Sequence, residues 1–225
     1  MKRKRLSRRD SRDRTAQRLL DAAGQLIATR GLSGTTLEGI AESAGYSRGA
    51  FYSNFRGKSD LFINLLRRDL GLTNAQLRTL RNDSLPLEQI YQGIREIYGL
   101  VYRNDEAFMN WTEARMLAAR DATFRAQLEA LLLERWAEVT QVIDYVRGRT
   151  GLVPPLDSRA VAMGLNSLVE GLKLSMLSSP GEMRPEDAES VLASFVTVLL
   201  TMAPRGATSD ETVNNDSLVS NDAVG

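Results

Sequence analysis

Between residues 15 and 203 the apolar positions recur at three- and four-residue spacing, with no sustained period-two alternation. A chain patterned this way buries its hydrophobic face only by packing helix on helix, so the fold class is all-α. The first face is Ala16, Leu19, Leu20, Ala23 and Ile27, which predicts a helix from Thr15 closed by Gly31 as a left-handed cap. Thr35 and Glu38 have the spacing of a reciprocal capping box, predicting a second helix with Leu37, Ile40 and Ala41 inward. Ala44 and Gly45 end it about two turns later. Ser47 is placed to cap a third helix running through Arg48, Gly49, Ala50, Phe51 and Tyr52. After an interruption at 55–57, Lys58, Ser59 and Asp60 open a longer helix with Leu61, Phe62, Leu65 and Leu66 inward. Five or six longer helices follow, with breaks near 82–86, 103–106, 119–123, 151–155 and 178–185.

Composition then removes whole classes of chemistry. The 225 residues include neither cysteine nor histidine. Disulfides, thiolate zinc sites, Cys or Ser–His nucleophiles and imidazole relays are therefore excluded, and no metal or cofactor is expected. No paired carboxylates stand at a spacing that suggests catalysis, so the chain does not read as an enzyme. The net charge of +1 hides an asymmetry: residues 1–70 carry 15 basic and 7 acidic side chains, and the rest 14 and 21. That split points to a nucleic-acid-facing N-terminal end. The basic start runs into more charge rather than an apolar stretch, unlike a secretory leader. The most apolar run, 191–203, is about 13 residues long, against the roughly 20 that a bilayer span needs. The expected location is the cytoplasm, with no membrane partner.

The block from Leu37 to Lys58 carries the function. Two short helices joined by a tight turn at Gly45 have the spacing of a helix-turn-helix, and a turn residue with positive φ suits glycine. The second helix opens with Ser47, Arg48 and Gly49, small and basic residues that let its N-terminal end approach base edges in a major groove. Helical hairpins of this spacing also occur as plain core structure. Lys2, Arg3, Lys4, Arg5, Arg8 and Arg9 precede any acidic residue and suit an arm that tracks phosphates; a solubilising tail is the equal alternative.

The residues themselves resemble a known family. Thr15 to Arg68 reads TAQRLLDAAGQLIATRGLSGTTLEGIAESAGYSRGAFYSNFRGKSDLFINLLRR. This is similar to the DNA-binding region of the tetracycline-repressor (TetR) family of bacterial regulators. LLDAA, the RG after the first helix, TTLEGIA, AGYSRGAFYSNF and GKSDLF are the most specific pieces. The resemblance implies that Thr36 bonds a phosphate, that Tyr46, Ser47, Arg48 and Gly49 face the major groove, that Tyr52 places its hydroxyl on the DNA backbone, and that Lys58 holds another phosphate. Phe51 and Phe55 read as core. Two positions depart from the pattern: Gly24 lies inside the first helix, at a cost of about 1 kcal/mol against alanine, and Tyr46 stands where a small aliphatic residue is usual.

The resemblance also implies a homodimer, bound to a double-stranded, palindromic operator and released by a small-molecule effector of unknown identity. The expected organisation is a flexible basic arm over 1–10, a three-helix helix-turn-helix domain over 11–56, a larger helical effector-binding and dimerisation domain over 57–203, and a disordered polar tail over 204–225. Tyr98, Tyr102, Phe108, Trp111, Glu113, Arg115, Met116 and Asn166 offer the mixture of apolar walls and polar groups that a pocket needs. Leu168, Gly171, Leu172, Phe195 and Leu199 are candidates for a dimer seam made by the last two helices. Each of these has intrachain packing as its alternative. A DNA-binding regulator without ligand response, or an all-helical interaction protein or enzyme keeping a relic helix-turn-helix, are the competing readings.

Overall fold

The computed structural model describes residues 7–151 and 156–201, the side chains of 101, 102 and 199–201 excepted. Among the described residues there are nine helices and no strand. The first is α1 (Arg8–Arg30), which starts earlier than its apolar face suggests. Ser7 caps it: its Oγ accepts from the Asp10 N–H at 3.1 Å, and the Asp10 carboxylate accepts from the Ser7 N–H at 3.1 Å. A capping box satisfies two otherwise orphaned donors, so the helix extends through turns that bury nothing. Arg8 and Arg9 thus belong to a helix and not to a flexible arm. Lys2, Arg3, Lys4, Arg5 and the 204–225 tail lie outside the described residues.

Two further expectations are corrected at the α1–α2 junction. Gly31 has φ 69° and ψ 167°, a positive-φ conformation but not the left-handed helical one. The cap of α2 (Leu37–Ser43) is Thr36, whose Oγ1 accepts from the Gly39 N–H at 3.0 Å. Thr35 is buried, its hydroxyl donating to the Gly31 carbonyl at 2.8 Å. Adjacent threonines make the cap ambiguous in sequence, and burial decides it.

Ser47 caps α3 (Arg48–Tyr52) as expected, and α4 (Lys58–Thr79) follows. Then come α5 (Leu87–Arg103), α6 (Asp105–Arg120), α7 (Ala122–Thr150), α8 (Ser158–Ser178) and α9 (Pro185–Thr201). Asn104, Asp121 and Asp157 each accept a backbone N–H from the first turn of α6, α7 and α8. The predicted breaks at 103–106 and 119–123 are these cap positions.

The helices enclose two cores. The first gathers Leu19, Ala23 and Ile27 of α1, Ile40, Phe51, Phe55, and Leu61, Phe62, Leu65 and Leu66 of α4. It also takes Ala114 and Ala118 of α6 and Phe124, Leu128 and Leu131 of α7. The second gathers Leu77, α5, the C-terminal half of α7, α8 and α9 around Val139, Val142, Val161 and Val169. At 29 residues, α7 is long enough to serve both. Gly24 finds its reason here: the Asn110 side chain of α6 donates to its carbonyl at 3.2 Å, and a Cβ on Gly24 would stand 2.6 Å from a Glu106 carboxylate oxygen. A side chain there would displace the Glu106 carboxylate from the α1–α6 contact.

Where α1, α4 and α6 meet, the Arg68 guanidinium serves two carboxylates, and Glu106 feels the charges of all three groups. Arg68 reaches Asp21 at 2.6 Å and Asp69 at 3.3 Å. Burial pushes the Asp69 carboxyl above its ordinary range, outweighing the pull of Arg68, and burial followed by the Asp69 charge pushes Glu106 up too. A carboxyl whose folded pKa is raised binds its proton more tightly in the native state, so its contribution to stability falls as pH rises through the carboxylate range. Asp69→Asn is therefore expected to melt above the wild type at about pH 7 and to lose that advantage by about pH 3, below the ordinary carboxyl value. Thermal denaturation at both values checks this.

Candidate nucleic-acid interface

The α2–α3 unit is held by its own turn. The Tyr46 N–H donates to Ala41 O at 2.8 Å and the Gly45 N–H to Glu42 O at 2.9 Å, with Gly45 at φ 75°. A Cβ on Gly45 would meet nothing within 4 Å, so the backbone conformation and not space calls for glycine. Phe51 forms the inner face of α3, fully buried and 5.8 Å between ring centroids from Phe55. With that face anchored, helical geometry turns Ser47, Arg48, Gly49 and Tyr52 outward, and all four are exposed.

These side chains are poised rather than locked. The Arg48 guanidinium lies 3.1 Å from Glu38 of α2 and 5.5 Å from the Tyr52 ring centroid. Tyr52 first and Glu38 second hold its pKa above the ordinary value. An exposed pair of this kind contributes little to stability and opens at little cost, freeing the fork for a guanine edge or a phosphate. Ser47 accepts from the Ala50 N–H at 3.3 Å, as Thr36 does from Gly39, so each hydroxyl keeps its proton to donate. An open groove of about 850 Å³ runs between the start of α2, α3 and the start of α4, walled by Thr36, Arg48, Tyr52, Arg56 and Lys58, with Gln127 of α7 at its edge.

Lys58 has work inside the fold. Its Nζ donates to Leu32 O at 2.9 Å and Thr35 O at 2.6 Å, which leaves one N–H for a phosphate. The lysine thereby fixes the loop that presents Thr36. The Leu32 N–H donates in turn to Glu113 of α6 at 2.8 Å. Tyr46 is only partly exposed, and its ring packs against the N-terminal core.

The residues expected at a pocket divide. Glu113 faces the α1–α2 loop instead, and Met116 is half exposed. Both placements reflect the packing of α6 against α1 and α7. Tyr98, Phe108 and Asn166 are buried, Trp111 is partly buried, and the side chain of Tyr102 lies outside the described residues. Arg115 meets Glu170 of α8 at 2.5 Å. Arg135 of α7, which sequence reasoning passed over, links this set: it lies 5.7 Å from the Trp111 ring centroid and 4.0 Å from Glu170. No local pattern marks Arg135, one guanidinium in a long helix.

The seam candidates divide as well. Leu172 belongs to the chain's own second core, and Leu168 packs against it. Gly171 is open, since a Cβ there would meet nothing within 4 Å, and Phe195 is half exposed. The Leu199 side chain lies outside the described residues. Among the described residues no helix is long and apolar enough to cross a membrane.

A buried-faced α3 presenting small, basic and phenolic groups beside two capped helix starts defines a helix-turn-helix DNA-binding protein. Comparison with known proteins agrees. The family model for bacterial regulatory proteins of the tetR family matches residues 19–65, and that for the BetI-type transcriptional repressor C-terminal domain matches 86–201. The chain belongs to the TetR family of transcriptional regulators. The HTH-type transcriptional regulator AcrR of Shigella flexneri is 47% identical over 51 residues, 23% of this chain and 24% of that protein. The chain thus matches this curated relative over about a quarter of its length. A TetR-family regulator from Rhodococcus sp. has a similar structure, with a TM-score of 0.68 at 24% identity over 84% of this chain and 100% of the other. So has a transcriptional regulator from Saccharomonospora viridis in complex with choline, with a TM-score of 0.68 at 19% identity over 82% of this chain and 96% of that one.

Proposed function

We propose that this regulator is a repressor that binds a palindromic operator as a homodimer and leaves it when a small molecule enters among α5, α6, α7 and α8. The observation that carries the DNA-binding part is the two-sided α3: Phe51 anchored inside, Ser47, Arg48, Gly49 and Tyr52 outside. Arg48 reads a base edge, Gly49 lets the backbone come close, and Thr36, Tyr52 and the third Lys58 donor take phosphates.

A second copy fits the outer face of α8 and α9. Met163, Gly164, Gly171 and Leu174 stand exposed along α8, next to Phe195 and Val198 on α9. The two glycines are open, which permits close helix approach, and such an apolar face exposed on a monomer calls for a partner. Two recognition helices then meet half-sites about 34–36 Å apart.

Release by a ligand is supported by the structural relative that holds choline and by the direct ties from α6 to the DNA-binding region. Asn110 holds Gly24, and Glu113 holds Leu32, whose carbonyl holds Lys58. A displaced α6 pulls on both ties and changes the spacing of the two α3 helices.

The test is selection from random duplex DNA at about 150 mM salt, where non-specific phosphate binding is weakened. The wild type is expected to enrich a palindrome. Arg48→Ala is expected to lose discrimination at one position per half-site by about 1–3 kcal/mol, while Tyr52→Phe weakens binding evenly across sequences. No enrichment from folded, dimeric protein would overturn the reading.

A further inference from the structure

Between α6 and α8, where the two cores adjoin, several hydrogen-bond donors stand unspent. The two helices both pack on α7 but make little backbone contact with each other, and charged side chains bridge them: Arg115 to Glu170, and Lys173 to Asp105. Among the described residues Glu170 is the one carboxylate facing Arg115 and Arg135 together, and Arg115 already holds it at 2.5 Å. The Asp105 side chain is two-thirds exposed, at the rim. Arg115 and Arg135 thus face one carboxylate between them.

Arg135 is the extreme case. Its side chain is 14% exposed, its nearest carboxylate oxygen is 4.0 Å away, and it donates no hydrogen bond among the described residues. Burial correspondingly lowers its pKa, with Glu170 opposing. Two more donors lack an acceptor: the buried Tyr98 hydroxyl, whose charge and that of Arg135 sense each other, and the Arg115 Nε. Burial pushes the Tyr98 pKa up to about 12, so at neutral pH the phenol keeps its proton and can donate it. The Asn166 Oδ1 is buried without a donor. A mostly buried guanidinium held by a single ion pair at 4.0 Å costs stability, and an anionic ligand would complete its hydrogen bonds.

We propose that the effector is an organic carboxylate on an aromatic or apolar body, its anion seated on Arg135 with the Tyr98 hydroxyl as second donor and its body against Trp111. This rests on the effector-release reading and adds the chemical class. Three unpaired donors ask for acceptor oxygens, while Asn166 Oδ1 accepts from a hydroxyl or amine elsewhere on the ligand. A quaternary ammonium fits poorly: Arg135 already covers the Trp111 ring, and the Glu170 carboxylate is already paired. Entry of the anion also competes with Glu170 for Arg115, which loosens α6 from α8 on the helix that carries Asn110 and Glu113.

The chain has two tryptophans, Trp111 and Trp136, so full-length Trp136→Phe isolates the one at the site. The probes are benzoate, salicylate, indole-3-acetate and decanoate, their neutral amides, and choline with benzyltrimethylammonium. Trp111 fluorescence and operator release are read for each. At least one carboxylate is expected to saturate the signal and release the operator, with its amide weaker by about tenfold or more, the scale of a charge-assisted hydrogen bond. Arg135→Met is expected to lose the carboxylate response and to raise the ligand-free Tm by a few degrees, since Arg115 still holds Glu170. A merely structural Arg135 would lower it. Amides or ammonium compounds binding as well as the carboxylates overturns the class and leaves effector release standing. Silence from all three charge classes overturns both. A carboxylate response that survives Arg135→Met overturns the seat.

Discussion

Phe62→Ala is expected to destabilise the whole chain by about 3–5 kcal/mol, the usual cost of emptying a buried phenylalanine site. Phe62 is fully buried in α4 and stacks on Phe124 of α7, ring centroids 5.7 Å apart at 23°. It therefore joins the helix-turn-helix to the long helix that also forms the second core. At about 2–4 °C per kcal/mol for a chain of this size, the Tm falls by about 6–20 °C. Calorimetry should show one transition moving as a unit. A chain cut after residue 56 lacks Phe62, Ala114, Phe124 and Leu128, which complete the core that α1 joins, and is expected not to unfold cooperatively. Two transitions, with only the lower one displaced by Phe62→Ala, would mean that the N-terminal core stands alone.

Lys58→Met is expected to cost both stability and operator affinity. Each of its two bonds joins a charged donor to a loop carbonyl, and bonds of that kind contribute about 1.5–3 kcal/mol when well buried. The ammonium is partly exposed here, so about 2 kcal/mol for the pair is the expected loss, or roughly 4–8 °C in Tm. With the loop freed, Thr36 loses its fixed position and Lys58's remaining donor is gone, so operator affinity should fall at least about tenfold. The salt dependence of binding should also weaken by about one phosphate contact. A lysine acting on phosphate alone would change affinity and salt slope with Tm unmoved. A lysine acting on the fold alone would lower Tm and leave the slope.

The helices were legible because their causes are local. A helical face needs apolar residues three and four apart, and a boundary needs a cap or a glycine within a turn, so Ser47, Gly45, Gly151 and the break before Ala122 could be read from neighbours alone. The start of α1 escaped because its first turns bury nothing and only the Ser7–Asp10 box marks them. The choice of Thr36 over Thr35 escaped because burial of Thr35 against Gly31 settles it. The outward face of α3 was legible from the family motif and from the apolar spacing of Phe51 and Phe55 together.

Contacts across long stretches of chain were not. Glu113 offers the same carboxylate to a pocket or to a backbone amide, and its meeting with Leu32, 81 residues away, depends on how α6 crosses α1. Gly24 looked like a weak point in a helix until Asn110 and Glu106 were packed against it. Leu172 and Gly171 are adjacent in sequence, yet one faces the core and the other faces outward, and only the angle of α8 on α7 says which. By itself the sequence determined an all-helical chain with a reading head near its N-terminus, because periodicity, caps and motif act within a few residues. The tertiary structure alone decided which charges are buried, which are paired and which helix holds the loop under Thr36, because those depend on helices meeting tens of residues apart.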